Sequence, residues 1–237
     1  GNMFGSAFYD NYLKQSIAHN CMLVYDPDEP ITNFLHNGSE HEIQNSGGQL
    51  VSNLGGKYDY PKSTENIKED PILNRGVILG REHGPDPVVP EYTYLKGDLS
   101  GHYSNKISDY ERSFMFLNLK EDYPEIPGIL IVFDHVVSSN EKFKKTYLLH
   151  GVNAPEIDGT RTVLKRKEFD YNGKLTNDTL LPSANNVTIT QVGANENEYW
   201  AGNVNFESYG YASSLNEQGG IRTEISPVTP SKEDYFL

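Results

Sequence analysis

From residue 75 onward, short β-favouring runs alternate with turn residues at about the 8–12-residue spacing of an all-β sandwich or barrel. The runs are "RGVILGRE", "EYTYLKGD", "RSFMFLNL", "GILIVFDHVVS", "KKTYLLHGV", "TRTVLKRKEF", "KLTNDTLL", "NVTITQV", "EYWAGNVNF" and "GIRTEISPV". In "EYTYLKGD", Tyr92, Tyr94 and Lys96 share one face and Thr93, Leu95 and Gly97 the other, the pattern of a half-buried strand. "RSFMFLNL" and "GILIVFDHVV" are apolar on both faces, with Phe114 and Phe116 opposite Met115 and Leu117, then an unbroken Ile129 to Phe133. Such strands need cover on both sides and predict the centre of a stacked sheet with a further layer or domain outside. Asp158-Gly159 and Asn172-Gly173 supply the residues that tolerate positive φ, and predict two-residue hairpin turns.

The first 90 residues are looser, with Asn, Gly and Ser clustered at 37–55 and several prolines. Phe8, Tyr12, Leu13 and Ile17 fall near helical spacing and predict one or two helical turns before His19. No internal repeat or low-complexity tract interrupts residues 1–237, which read as a single β-sandwich domain with little helix. The closing "EDYFL" reads as a strand with no turn after it, the expectation for a fragment of a longer protein.

Charge then narrows the partners. Twenty basic against 33 acidic residues give a net charge of −13, which argues against nucleic acid, since phosphate binding needs clustered Lys and Arg. Lys142, Lys144 and Lys145, then Lys165, Arg166 and Lys167, are the short basic clusters, and they read as solvated strand faces. No window approaches the roughly 18 apolar residues of a membrane-spanning helix, and the first twenty residues carry no signal-peptide pattern. The single Cys21 excludes an internal disulfide and any CxxC motif.

The candidate chemistry is sparse. Of the seven histidines, none forms an HxH or HxxxH pair; His36 and His41 are close, in a Gly/Asn/Ser-rich stretch that reads as solvent-exposed loop. His135 and His150 sit within apolar strands, where a histidine satisfied by a backbone or carboxylate partner is the natural reading. Neither a phosphate-binding glycine loop nor a GxSxG elbow is present. Asp98 and Arg112, on consecutive strands, form a candidate ion pair that would let Arg112 sit in a hydrophobic strand. His19, at the lip of the apolar run "CMLVY", is the one unusual histidine.

"SIAHNCMLVYDPDEP", "NSGGQL", "PEYTYLKGDLSGHYSNKI", "RSFMFLNLK", "ILIVFDHVVSSNEKFKKTYLLHG" and "PEIDG", in that order, resemble the central β-sandwich domain of the heparinase II/III-like polysaccharide lyases. The likeness runs through nearly the whole chain. It implies a stacked antiparallel β-sandwich, supersandwich-like, in a parent enzyme that cleaves uronic-acid-containing glycosaminoglycans by β-elimination, with an N-terminal α/α toroid before this domain and a small C-terminal β-domain after it. It also implies a periplasmic or secreted location, an acidic polysaccharide substrate, and as protein partners the toroid of the same protein and a second copy in a homodimer. The family's catalytic groups come mainly from the toroid and an HGHxD-like segment absent here, so no catalytic residue is assigned and the chain alone is expected to be inactive.

Within the "AHN" block, Ala18, His19 and Asn20 match the motif whose histidine binds zinc in the family. The resemblance therefore implies that His19 is a zinc ligand in the intact enzyme. One imidazole cannot hold zinc where about three or four ligands are needed, so in this chain His19 is expected to be metal-free or joined to a chance ligand. The alternative is a capping histidine at a loop-to-strand junction. The charge of −13 fits heparin poorly, so either the toroid supplies the positive charge or the substrate is less sulfated than heparin, the second being the favoured reading. A different function class, a non-catalytic carbohydrate-binding or structural module, draws on 16 Tyr and Trp200 as sugar platforms, although strand packing explains most such rings.

Overall fold

The computed structural model describes residues 7–29, 33–36, 39–50, 63–69, 74–166, 170, 172–193, 199–206 and 221–237. Among them the chain is all-β and antiparallel. Its strands are β1 Met22–Tyr25, β2 Asn33–His36, β3 Ser39–Glu42, β4 Val77–Gly84, β5 Tyr92–Asp98, β6 Ile107–Asn118, β7 Gly128–Ser138 and β8 Lys144–Gly151. They continue as β9 Glu156–Asp158, β10 Arg161–Arg166, β11 Gly173–Asp178, β12 Val187–Val192, β13 Trp200–Ala201, β14 Val204–Asn205, β15 Ile221–Pro227 and β16 Glu233–Phe236. One α-helix, α1, spans Thr64–Glu69, and short helical turns occupy Tyr9–Leu13 and Ser16–Ala18, as the spacing before His19 predicts.

Two sheets make the sandwich: a five-stranded sheet in the order β16-β7-β6-β5-β4 and a four-stranded sheet in the order β1-β8-β15-β12. Period-two alternation sorts their side chains. Met22 and Val24 of β1 meet Tyr110 of β6, Val136 of β7 and Phe236 of β16 in the core between the sheets, with Tyr103 and Phe143 closing it. The opposite face of the four-stranded sheet, through Leu23 and Leu148, is covered by Phe8, Tyr12, Ile17 and the β13–β14 hairpin. The closing "EDYF" does form a strand, β16, which pairs with β7 from Glu233↔Val137 to Phe236↔Asp134.

The doubly apolar strands differ from expectation in their cover. β6 and β7 have twelve and eleven residues, whereas β1 and β8 have four and eight. Their far ends overhang the partner sheet and are half-exposed on both faces: Phe116 and Leu130 on the core-facing side, Ile129 and Ile131 on the other. Continuous apolarity here marks an overhang, not a strand sandwiched along its whole length.

The turns divide in the same way. Gly159 takes φ +58 between β9 and β10, as a two-residue hairpin requires. Asn172-Gly173 is not such a turn: Gly173 already pairs with Arg166 in β11, and the positive φ falls on Asp170. "EYWAGNVNF" is not one strand but two, folded at Gly202 and Asn203, both with positive φ. Both central residues of a two-residue type I′ turn have that backbone, and Gly and Asn are the residues that adopt it most easily.

Two electrostatic readings also need correction. Asp98 does not pair with Arg112, because the β5–β6 register sets Gly97 opposite Arg112 and the Asp98 carboxylate instead accepts the Ser100 N–H and hydroxyl. Arg112 pairs across β6–β7 with Asp134, Nε to Oδ1 and Nη2 to Oδ2 both at 2.6 Å. Lys145 is not solvated: it is 1% exposed and donates to the Ser231 carbonyl and the Asp234 carboxylate. Alternation turns Lys145 inward while Lys144 stays exposed. Lys165 is a surface residue paired with Glu156, and Lys167 lies outside the described residues.

Candidate functional site

The two helical turns carry the chain across the outer face of the four-stranded sheet and deliver residues 18–20 to the start of β1. Burial of Phe8, Tyr12 and Ile17 holds the turns down. Polar ties add to this: Gln15 donates to the Asp10 carbonyl at 2.7 Å, Asn11 Oδ1 accepts the Gln44 N–H at 2.7 Å, and Ser16 Oγ accepts the Gln49 N–H at 2.9 Å. Each satisfies a group that a short helix leaves unpaired or a loop would bury without a partner.

The "AHN" block then divides its work. Ala18 packs on the apolar cluster. His19 is exposed and donates its Nε2 proton to the Leu13 carbonyl at 3.1 Å. Since a carbonyl can only accept, Nε2 carries the proton of the neutral ring and Nδ1 is left with the lone pair. Asn20 is the latch: its Oδ1 accepts the main-chain N–H of His150 at 2.9 Å, and its own carbonyl accepts Arg112 Nη1 at 3.2 Å. The loop is thereby tied to both layers of the sandwich.

His150 completes the arrangement from β8. Its Nε2 lies 2.9 Å from the Ile17 carbonyl and its Nδ1 3.1 Å from Asn20 Oδ1. Burial drives its pKa down to about 4, with the charges of Arg222 and His19 adding to the effect against the Ile17 carbonyl. The ring is therefore neutral at neutral pH, and its one proton goes to the closer acceptor, Ile17. Across the strand pair lies Arg222, 2% exposed, whose Nε donates to Glu224 at 2.9 Å.

A second cluster lies on the outer face of the five-stranded sheet. His135 is flanked by Glu233 at 2.8 Å from Nε2 and by Asp109 at 3.4 Å from Nδ1. Tyr235 stacks on the His135 ring at 4.9 Å and donates to the same Glu233 oxygen at 2.6 Å. His135 and His150 thus have the carboxylate and backbone partners anticipated for them. His36 and His41 lie on the paired strands β2 and β3 rather than in a loop, opposite Ser39 and Phe34 respectively.

Both readings of His19 meet in this geometry. Accepting its proton at Leu13 caps a helical carbonyl. A bond of the same kind, from one ring nitrogen to a main-chain carbonyl, fixes the tautomer of imidazoles that bind metals through the other nitrogen. The donor chemistry suits zinc at Nδ1, but among the described residues no group of three or more His, Cys, Asp or Glu could hold a metal ion. The sequence pointed to His19 and Asn20 by motif, whereas the roles of His150 and Arg112 as ties to that loop went unread. No family model matches the chain, and no curated protein sequence matches it.

Proposed function

We propose that this chain is the β-sandwich part of a polysaccharide lyase that cleaves uronic-acid-containing glycosaminoglycans by β-elimination, with His19 as one zinc ligand. The observation that carries the reading is the exposed His19 ring, its Nε2 proton committed to Leu13 and its Nδ1 left as the coordinating atom, on a loop tied to both sheets. Zinc, when bound, supplies a fixed positive centre in the wall of the cleft. The remaining ligands, the base and the carboxylate-neutralising groups belong to the preceding segment that the resemblance implies.

The overhang of β6 and β7 supports this reading. Its half-exposed side chains, Phe116 and Leu130 on one face and Ile129 and Ile131 on the other, are apolar surface of the kind that neighbouring parts of a protein cover. In β-elimination a base removes the C5 proton of the uronide while the C4 oxygen leaves, so the site must neutralise a carboxylate as enolate charge develops. A domain of charge −13 contributes little to that neutralisation. The preferred substrate in this proposal is therefore a glycuronan less sulfated than heparin.

The test compares the longer gene product with this chain on heparin, heparan sulfate and unsulfated glycuronans, reading ultraviolet absorbance from unsaturated ends. The longer protein produces them and this chain does not. Sugar binding by the longer protein with no unsaturated ends on any uronide polymer overturns the lyase reading. It would favour a non-catalytic carbohydrate-binding module instead, for which the Tyr235 ring, 43% exposed beside Glu233, is the best-placed platform.

A further inference from the structure

We infer that His150 is the positioning residue of the His19 loop, a role that rests on His19 being a metal ligand and goes beyond it. His150 grips the loop on both sides of His19 from a strand 130 residues away in sequence. Its ring donates to the carbonyl of Ile17, two residues before His19, and its main-chain N–H donates to the side chain of Asn20, one residue after, both at 2.9 Å. The next turn of the ladder adds Leu148 N–H to the Cys21 carbonyl at 3.0 Å.

β8 is an inner strand, paired with β1 on one side and β15 on the other, so its main chain is fixed by two ladders. A loop pinned to such a strand inherits its rigidity, which is what a coordinating side chain needs to meet its metal without paying ordering entropy at binding. The Ile17 carbonyl lies at the last helical turn, where intrahelical donors have run out. Removing the imidazole leaves that carbonyl unpaired and frees the turn whose preceding residues hold the His19 ring at Leu13. The positioning therefore runs from His150 through Ile17 and Leu13 to His19.

Long-range 15N–1H spectra of the imidazoles at neutral pH test this, together with contacts between the His19 ring and Leu13. In the wild-type protein both His19 and His150 carry the proton on Nε2. In His150→Ala the His19 ring loses its Leu13 contacts and averages between tautomers while amide signals of the five-stranded sheet stay in place; His150→Gln, which keeps a side-chain N–H donor, restores it. In the longer gene product, where the proposed remaining ligands are present, Zn2+ alone, titrated against the His19 resonances, binds at least about 10-fold more weakly to His150→Ala than to wild type.

An unchanged His19 spectrum in folded His150→Ala overturns the inference. So does a wild-type His150 carrying its proton on Nδ1, which is readable even if the alanine variant does not fold. If wild-type His19 in the longer gene product ignores Zn2+ while His150→Ala still releases the ring, the metal reading fails and the positioning role stands.

Discussion

The buried pair of Arg112 and Asp134 makes the sharpest stability prediction. Asp134 is fully buried and Arg112 is 8% exposed, so neither charge has water to fall back on. Burial, the largest single influence, opposes the guanidinium charge, but the Asp134 hydrogen bonds together with the electrostatic attraction of Tyr110, Asp134 and Tyr147 outweigh it and drive the Arg112 pKa upward. The rings of Tyr110, Phe114 and Tyr147 surround the guanidinium at 5.5–5.8 Å from its central carbon to their centroids. Removing one partner leaves the other buried and uncompensated, which costs about 3–5 kcal/mol.

Asp134→Ala should therefore lower stability by about 3–5 kcal/mol, or roughly 6–20 °C in Tm at about 2–4 °C per kcal/mol for a chain of this size. Arg112→Met should cost a similar amount and additionally leave the Asn20 carbonyl without its donor, worth about 1 kcal/mol. The double variant Arg112→Met/Asp134→Ala leaves neither charge uncompensated and should cost no more than either single variant, a coupling of at least about 3 kcal/mol between the sites. Urea unfolding of the four proteins, with m checked for constancy, measures it. Single-variant costs below about 1 kcal/mol, or costs that simply add, would show that the pair does not act as a desolvated unit.

Three further outcomes follow from the same geometry. The depressed pKa of His150 means the unfolded chain binds a proton more readily than the folded one between about pH 6.5 and 4. Stability should be flat in this contribution above pH 6.5 and fall as pH drops toward 4, by at most about 3 kcal/mol, and His150→Gln should flatten that limb of a pH–Tm series. Gly47 and Gly159 both have positive φ, but a Cβ on Gly47 would sit 2.9 Å from the Val24 carbonyl oxygen while one on Gly159 meets nothing within 4 Å. Gly159→Ala should cost about 1–2 kcal/mol of backbone strain and Gly47→Ala clearly more, measured by thermal unfolding. His19→Ala, at an exposed position, should change stability by no more than about 1 kcal/mol, while abolishing the lyase activity proposed for the longer gene product.

The composition of this chain and its period-two runs were enough for the architecture. β-branched and aromatic residues in alternating runs can bury only one face at a time, and this held for the half-buried β5 and for the extent of β7, read from residue 128 to 138. Helical spacing of Phe8, Tyr12 and Ile17 was equally legible, because one apolar stripe must face the sheet. The Gly202-Asn203 turn was missed inside a run that reads as one strand, although that dipeptide tolerates the backbone the turn needs.

What the sequence left open is which strands lie side by side and where one sheet outruns the other. Asp134 interrupts an apolar strand and Arg112 another, and only the β6–β7 register, Asn118↔Gly128 back through Arg112↔Asp134, joins them. Aligning those two strands as a hairpin would have found the pair. No local pattern, by contrast, could bring His150 to Ile17 and Asn20, because that meeting depends on β1 choosing β8 as its neighbour across more than a hundred residues. The sequence alone determined the kinds of element and the His19 motif, since propensity and period are local. Tertiary structure alone decided the partners of each buried charge and the ties on the His19 loop, because long-range pairing is selected by the burial of whole faces rather than by any residue and its sequence neighbours.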